Sequence, residues 1–466
     1  MKKVVFVNPP VDNELFGVFS DVLGKLPQLG ILFLASILRK NNFEVKIIDA
    51  YNLRMSSEDA LKKIKEFNPD FICLTSNTEY INYAADFAKK IKFWRKDIII
   101  ILGGPHINLA PVETLKLYAS FDFGLIGESE RSLLEFLNSN SKKVPGLVFR
   151  EKNNIVVNKS DERIKSLDSL PFPSFDLLEG FPEKYQPTPT NFKNYPSTGL
   201  TMSRGCPWNC SFCDKSVFGK KFIYHSPKYV VSLIENLRDN FGIRDICFYD
   251  DVFTIPHFRI KKFCELMISR KVNISWSCLT RIDCVDKKIL KLMKLAGCWQ
   301  ISYGIESGSQ RVLDILNKDL SLVDIKKRIG ETKSAGISVR GFFIIGSPKE
   351  TKEDIEKTWH LIKESKIDDL ELEFFTPIPR TVLGESSSDF GSFDTSWRKT
   401  SMLKANFVPN TLDRETLESY YKKIIKDFYT QPRIIKNYFF KLFNPSKTRF
   451  IIYGLKTFVK ILFSKN

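Results

Sequence analysis

The chain has 466 residues, and at about 150 residues per domain that is more than one ordinary domain can absorb. Apolar residues make up 43% and charged residues 27%, close to the globular norm of roughly 45–50% and 25%, which excludes wholesale disorder. Lys and Arg number 71 against 54 Asp and Glu, a net charge of +17, so an acidic partner or surface has to be considered.

In chain order, strands are predicted at Lys3–Val7, Val45–Asp49, Phe71–Ser76, Ile98–Gly103 and Phe123–Gly127. Amphipathic helices are predicted between them at 28–41, 57–67, 78–95, 111–119 and 129–138. Nearly continuous apolar strands alternating with helices predict a doubly wound, Rossmann-like α/β unit whose parallel sheet is covered on both faces. Ligands of such sheets sit at the carboxyl ends of the strands. Those ends are rich in small and turn residues here: Asn8-Pro9-Pro10, Thr75-Ser76-Asn77-Thr78, Gly103-Gly104-Pro105-His106 and Gly127-Glu128.

Residues 146–158 read as a hairpin through Asn153-Asn154, and a linker rich in proline follows (Pro171, Pro173, Pro182, Pro187, Pro189, Pro196), a natural boundary. From 198 the alternation restarts. Strands are predicted at 198–203, 244–249, 274–279, 299–305, 338–345 and 370–375, and helices at 226–240, 257–271, 286–295, 321–335 and 351–365. Six βα-type units without a seventh and eighth predict a partial (β/α)6 TIM-like barrel. Past residue 386 the alternation gives way to a mainly helical, basic C-terminal region. The expected domains are therefore 1–140, 141–196, 197–385 and 386–466.

No run of 18 or more apolar residues is present to span a membrane, and the opening Met1-Lys2-Lys3-Val4-Val5-Phe6-Val7-Asn8-Pro9-Pro10 is too soon broken by proline for a signal peptide. Nine cysteines, an odd number, point away from a disulfide scaffold and to a reducing, cytoplasmic setting. Residues 430–466 carry eight Lys and Arg and no Asp or Glu.

The segment Ser203-Arg204-Gly205-Cys206-Pro207-Trp208-Asn209-Cys210-Ser211-Phe212-Cys213-Asp214 follows the first strand of the second unit. Thiolates are the usual ligands of iron–sulfur clusters, and a four-iron cluster normally takes four. Only three are here, with no fourth cysteine within thirty residues. An iron without a protein ligand can bind a substrate or cofactor, as the open position of a catalytic zinc does. The scattered Cys73, Cys247, Cys264, Cys278, Cys284 and Cys298 read as buried thiols.

This loop resembles the signature of the radical S-adenosylmethionine (SAM) superfamily. The resemblance implies that Cys206, Cys210 and Cys213 hold a [4Fe–4S] cluster while the amine and carboxylate of SAM chelate the free iron. One electron from the cluster then cleaves the sulfonium and yields a 5′-deoxyadenosyl radical. Phe212 matches the aromatic residue before the last cysteine and would shield the cluster from water. Later strand ends match in family order. Asp250 or Asp251 would meet the methionyl amine, since a buried ammonium needs a partner, and Arg281 the carboxylate. Glu306 would accept from the ribose hydroxyls, and Gly346 lies in the segment that flanks the adenine.

A second resemblance covers the first unit. Asn8-Pro9-Pro10, Pro27-Gln28-Leu29-Gly30 with Ala35 and Leu38, Val45 and Asp49, Gly103-Gly104-Pro105-His106 and Gly127-Glu128-Ser129-Glu130 resemble the cobalamin-binding domain that precedes the radical domain in one large subclass. Together the two resemblances cover roughly residues 1–385. A flat corrin needs a glycine-lined approach that Cβ atoms would block. The implied contacts are Pro9, Pro10, Thr75, Ser76, Asn77, Gly103, Gly104, His106, Gly127 and Glu128. Cobalamin mutases place a histidine on cobalt through Asp-x-His-x-x-Gly; the subclass lacks that motif, and so does this domain, whose one histidine is His106. The lower axial position is expected to be empty, held by water or shielded by the 75–78 loop.

The function implied is that of a cobalamin-dependent radical SAM enzyme that methylates an unactivated carbon, with cyclisation or rearrangement by the same machinery as the alternative. An RNA methylthiotransferase would carry a second cysteine trio in its N-terminal domain, where only Cys73 is present. Expected partners are a small-molecule or lipid-like substrate and an external electron donor; nucleic acid is not expected. Residues 449–463 place Ile451, Ile452, Leu455, Phe458, Val459, Leu462 and Phe463 on one helical face opposite Arg449, Lys456 and Lys460. Such a helix can pack on the barrel or lie on an anionic membrane, and the interleaved Phe439, Phe440, Phe443 and Phe450 leave nucleic-acid contact as a third, less favoured reading.

Overall fold

The computed structural model describes residues 1–12, 24–160, 163–188, 190–393, 404–442 and 448. Strands β1 (Lys3–Asn8), β2 (Glu44–Asp49), β3 (Phe71–Thr75), β4 (Ile99–Gly103) and β5 (Phe123–Leu125) run parallel in the order β2-β1-β3-β4-β5. Helices α1 (Leu29–Lys40), α2 (Ser57–Phe67), α3 (Ile81–Trp94), α4 (Pro105–Leu109), α5 (Pro111–Leu117) and α6 (Ser129–Ser139) connect and flank them. Along β1, Val4 and Phe6 enter one core while Val5 and Val7 enter another. Neither face of the sheet is wet, which is why its strands are apolar without alternation. The order reverses between β1 and β3, so the crevice of this sheet opens above Asn8 and Thr75.

The hairpin of β6 (Leu147–Glu151) and β7 (Asn154–Val157) pairs antiparallel onto β5 and completes a seven-stranded sheet, so it extends the first unit. The proline-rich stretch behind it is a packed strap, anchored by buried Phe175, Tyr185 and Phe192.

The second sheet contains β8 (Ser197–Leu200), β11 (Asp245–Phe248), β12 (Ser275–Thr280), β13 (Cys298–Glu306), β14 (Ser338–Ile345) and β15 (Asp369–Phe374), in that order and all parallel. A small antiparallel pair, β9 (Ser203–Arg204) with β10 (Ile223–Tyr224), brackets the cysteine loop. The edge strands β8 and β15 do not pair with each other, so the expected partial barrel is the fold observed. Its outer layer is α7 (Pro227–Phe241), α8 (His257–Ser269), α9 (Lys287–Leu295), α10 (Gln310–Ile315), α11 (Leu322–Ser334) and α12 (Lys352–Glu364). Local chemistry starts these helices where the pattern placed them. Ser226 caps α7 ahead of Pro227, and Thr351 with Asp354 forms a reciprocal capping box on α12.

The C-terminal region departs from the expected run of helices. After α13 (Val382–Glu385) comes an antiparallel pair, β16 (Gly391–Phe393) with β17 (Phe407–Pro409), and only then α14 (Arg414–Tyr429) and α15 (Pro432–Leu442). Tyr421 of α14 stacks on Phe374 at 4.7 Å between ring centroids, fixing the helix to β15. The amphipathic face expected at 449–463 lies outside the described residues. No described helix is long and apolar enough to cross a membrane.

Candidate cofactor site

Cys206, Cys210 and Cys213 line one cavity of about 370 Å³ at the carboxyl ends of the barrel strands. The loop that carries them is pinned at several points. Ser211 N–H donates to the Leu316 carbonyl at 2.9 Å, Leu383 N–H to the Ser211 carbonyl at 2.9 Å, and the Asn317 amide to the Asn209 carbonyl at 2.7 Å. Burial pushes the Cys213 thiol up to about 12, helped by the charges of Cys210, Asp251 and Cys206, so the three sulfurs sit within electrostatic reach of one another. Among the described residues no three His, Cys, Asp or Glu side chains converge on a single ion. A four-iron cluster spreads its thiolates over three separate metal atoms, so they need not meet at a point, and this donor set suits a cluster with one open corner.

The SAM candidates separate into those that face this cavity and those committed elsewhere. Asp251, at the end of β11, lines it. Its neighbour Asp250 does not. It is 1% exposed and accepts from the Met202 N–H at 3.0 Å and from the Ser203 hydroxyl. Burial raises its pKa to about 6 although Arg259, Ser203 and Met202 favour the charged form. Asp250 therefore braces the entry to the cysteine loop, and of the two candidates for the amine it is Asp251 that faces the cavity.

Arg281 lines the cavity but is spoken for on both forks. Its Nε and Nη2 donate to Asp283 at 3.1 and 2.9 Å, and Nη2 donates again to the Lys318 carbonyl at 2.9 Å. Both bidentate edges of a guanidinium, Nε with Nη2 and Nη1 with Nη2, use Nη2, so Nη1 alone is left for a single hydrogen bond into the cavity. Glu306 is 6% exposed and pairs with the Lys318 Nζ at 2.6 Å. A Cβ on Gly304 would stand 2.6 Å from the Glu306 Oε1 and 3.0 Å from that Nζ, so a larger residue there would make the pair shift. Gly346, expected beside the adenine, is covered instead: a Cβ there would meet Leu417 of α14 at 2.9 Å. Lys318 itself was not anticipated. It sits twelve residues from Glu306, beyond a helix, and no local pattern links them.

On the first unit, Pro9, Pro10 and Ser76 are buried, while Thr75, Asn77, Gly103, Gly104 and Gly127 are half-buried at the crevice. Pro105, at the start of α4, lines the same cavity as the three cysteines, so the two strand-end edges face each other. His106 has no exposed surface, and its Nδ1 lies 3.2 Å from the Thr78 Oγ1. Burial lowers its pKa to about 4, which keeps it neutral. As placed it fastens α4 to the 75–78 loop and offers nothing to a corrin. Glu128 is also withdrawn from that edge: it accepts from Ile164 N–H at 2.8 Å and pairs with Arg204 at 3.0 Å and Arg163 at 3.3 Å. Gly104 has φ +93°, and a Cβ there would approach the Ser76 carbonyl oxygen to 2.8 Å and its nitrogen to 2.9 Å. Gly104→Ala should displace the 75–77 loop at a cost of about 1–3 kcal/mol and weaken cobalamin retention, read as corrin absorbance kept after desalting.

A second cavity of about 230 Å³ adjoins the first and shares Phe212, Glu306 and Phe342 with it. Its far wall is Ile344, Glu371 and Glu373. The alternate residues of β15, Leu370, Leu372 and Phe374, enter the core. Glu371 pairs with Arg340. Glu373 is pushed up to about 8 by burial and by Glu371, Glu306 and Glu79, so its carboxyl is protonated near neutrality.

Two family models match the chain: the B12 binding domain over residues 17–137 and the radical SAM superfamily over residues 200–362. An uncharacterized methyltransferase of Pyrococcus horikoshii is 31% identical over 442 residues, covering 93% of this chain and 94% of its own. An anaerobic magnesium-protoporphyrin IX monomethyl ester cyclase of Cereibacter sphaeroides is 28% identical over 407 residues, 83% of this chain and 64% of its own. Among solved structures, the cobalamin-dependent SAM radical enzyme OxsB with aqua-cobalamin bound matches with a TM-score of 0.74 at 18% identity, covering 98% of this chain and 72% of that one. At that identity the likeness concerns the fold alone. The chain belongs to the radical SAM superfamily, in the branch with an N-terminal B12 binding domain, and its cofactors are a [4Fe–4S] cluster, SAM and cobalamin.

Proposed function

We propose that this enzyme transfers a methyl group to an unactivated carbon of a small molecule. The observation that carries the reading is the single cavity walled by Pro105 of the first unit and by the three cysteines of the second. It allows a methyl carrier and a radical source to serve one carbon. The methyltransferase relative is 31% identical against 28% and 26% for two cyclases, and this favours methyl transfer over ring closure.

In this reading Cys206, Cys210 and Cys213 hold the cluster, and Thr75, Asn77, Gly103, Gly104 and Gly127 border the corrin. When bound, the cluster supplies an electron for SAM cleavage and cobalamin carries the methyl group. Lys318 holds Glu306 at the cavity wall, where its carboxylate can accept from hydroxyls. Asp251 is the carboxylate left to meet an ammonium. The second cavity takes the substrate: Phe342 and Ile344 exclude water, and protonated Glu373 donates a hydrogen bond to it. An external donor would provide the electron, and the basic C-terminal stretch would be the part to meet an anionic membrane.

Reconstituted enzyme given SAM and methylcobalamin should form both 5′-deoxyadenosine and S-adenosylhomocysteine. Deoxyadenosine alone would favour rearrangement, and neither product, with cluster and corrin loaded, would refute the proposal.

A further inference from the structure

We propose that Arg281 is a positioning residue for the cluster, donating from Nη1 to the sulfur of Cys210 and so making the cluster easier to reduce. This rests on the reading that Cys210 is a cluster ligand. The guanidinium is held on three sides. Asp283 takes Nε and one hydrogen of Nη2, the Lys318 carbonyl takes the other hydrogen of Nη2, and the Trp208 ring lies 4.7 Å below the guanidinium carbon. Nη1 is left, and it lies 3.9 Å from the Cys210 Sγ. Arg281 is 4% exposed, so little water competes for that hydrogen.

Reduction adds one negative charge to the cluster and its thiolates. A fixed cation with an N–H aimed at one of those sulfurs stabilises the reduced state more than the oxidised one, and hydrogen bonds to sulfur are among the features that set cluster potentials. The arrangement also explains why Asp283 is present. It does not reach the sulfur; it fixes the plane of the group that does. A carboxylate-binding arginine would need an open fork, and this one has none.

The test is a mediated redox titration of the reconstituted holoenzyme, followed by electron paramagnetic resonance of the reduced cluster. Iron and sulfide content and the SAM dissociation constant are measured alongside. Arg281→Met should keep iron and bind SAM within about twofold of the parent. At a fixed potential its reduced-to-oxidised ratio should fall about tenfold, which is 59 mV for one electron. Arg281→Lys, which keeps a cation but loses the planar fork that Asp283 orients, should shift the ratio the same way by less. An unchanged potential in Arg281→Met overturns the proposal, as does lost SAM affinity at an unchanged potential, which would make Arg281 a SAM ligand. If Arg281→Met does not retain iron, Arg281→Lys decides: a downward shift supports the role, and an unchanged or raised potential refutes it. Failure of the parent enzyme to take up iron and sulfide would instead refute the cluster assignment on which the proposal stands.

Discussion

Replacing any one of Cys206, Cys210 and Cys213 with alanine is expected to reduce 5′-deoxyadenosine formation to background, a loss of ~10³-fold or more, or about 4 kcal/mol of barrier. A cube tethered at three corners that loses one tether exposes a second iron, and the geometry that presents a single open corner is gone. Iron and sulfide content, measured after reconstitution and desalting, should fall together with the activity. Cys264→Ala is the matched control. That thiol is fully buried on α8, away from the cavity lining, and its loss should leave the iron content unchanged. Full activity in any of the three cysteine variants would remove the cluster from the chemistry proposed for this cavity.

What could be read in the sequence was what is local. Strand and helix positions followed from apolar periodicity and capping residues, and the predicted strands of both units end within about three residues of those observed. The cysteine loop was legible because its three cysteines lie within eight residues of chain. Long-range partners were not legible. Asp250 and Asp251 are adjacent, yet one turns toward Met202 and Ser203 and the other lines the cavity. Nothing local says which. Glu128 has the look of a loop carboxylate beside a ligand crevice, but its partners are 76 and 35 residues away at Arg204 and Arg163. Gly346 is covered by α14, which follows a stretch whose hairpin left no strong pattern. Lys318 was missed for the same reason: a buried ion pair is specified by the fold and by no spacing.

The second large effect concerns the joint between the two units. Arg204 is 9% exposed and stands two residues before Cys206. Its Nη1 pairs with Glu128 at 3.0 Å and its Nη2 with Glu130 at 2.7 Å, both on the edge of the first unit. Removing one member of a buried ion pair strands the others without water, at a cost of about 3–5 kcal/mol. Arg204→Met should therefore lower the thermal midpoint sharply and reduce iron uptake by loosening the cysteine loop, both measurable on one preparation. Adding Glu130→Gln to Arg204→Met should recover part of the stability, because Glu130 then carries no uncompensated charge while Glu128 keeps Arg163 and the Ile164 N–H. Burial works to raise the Glu128 carboxyl, but Ile164 N–H, Arg204 and Arg163 outweigh it and hold its pKa below the ordinary 4.5. A carboxylate depressed by folding contributes stability that is complete above its unfolded pKa and lost as the pH falls through the folded one. The parent should accordingly become labile to acid below about pH 4.5, and the Arg204→Met variant should have lost that part of its acid sensitivity. A midpoint in Arg204→Met equal to the parent's would mean that the pair is solvated and that the two units are joined by the apolar core alone.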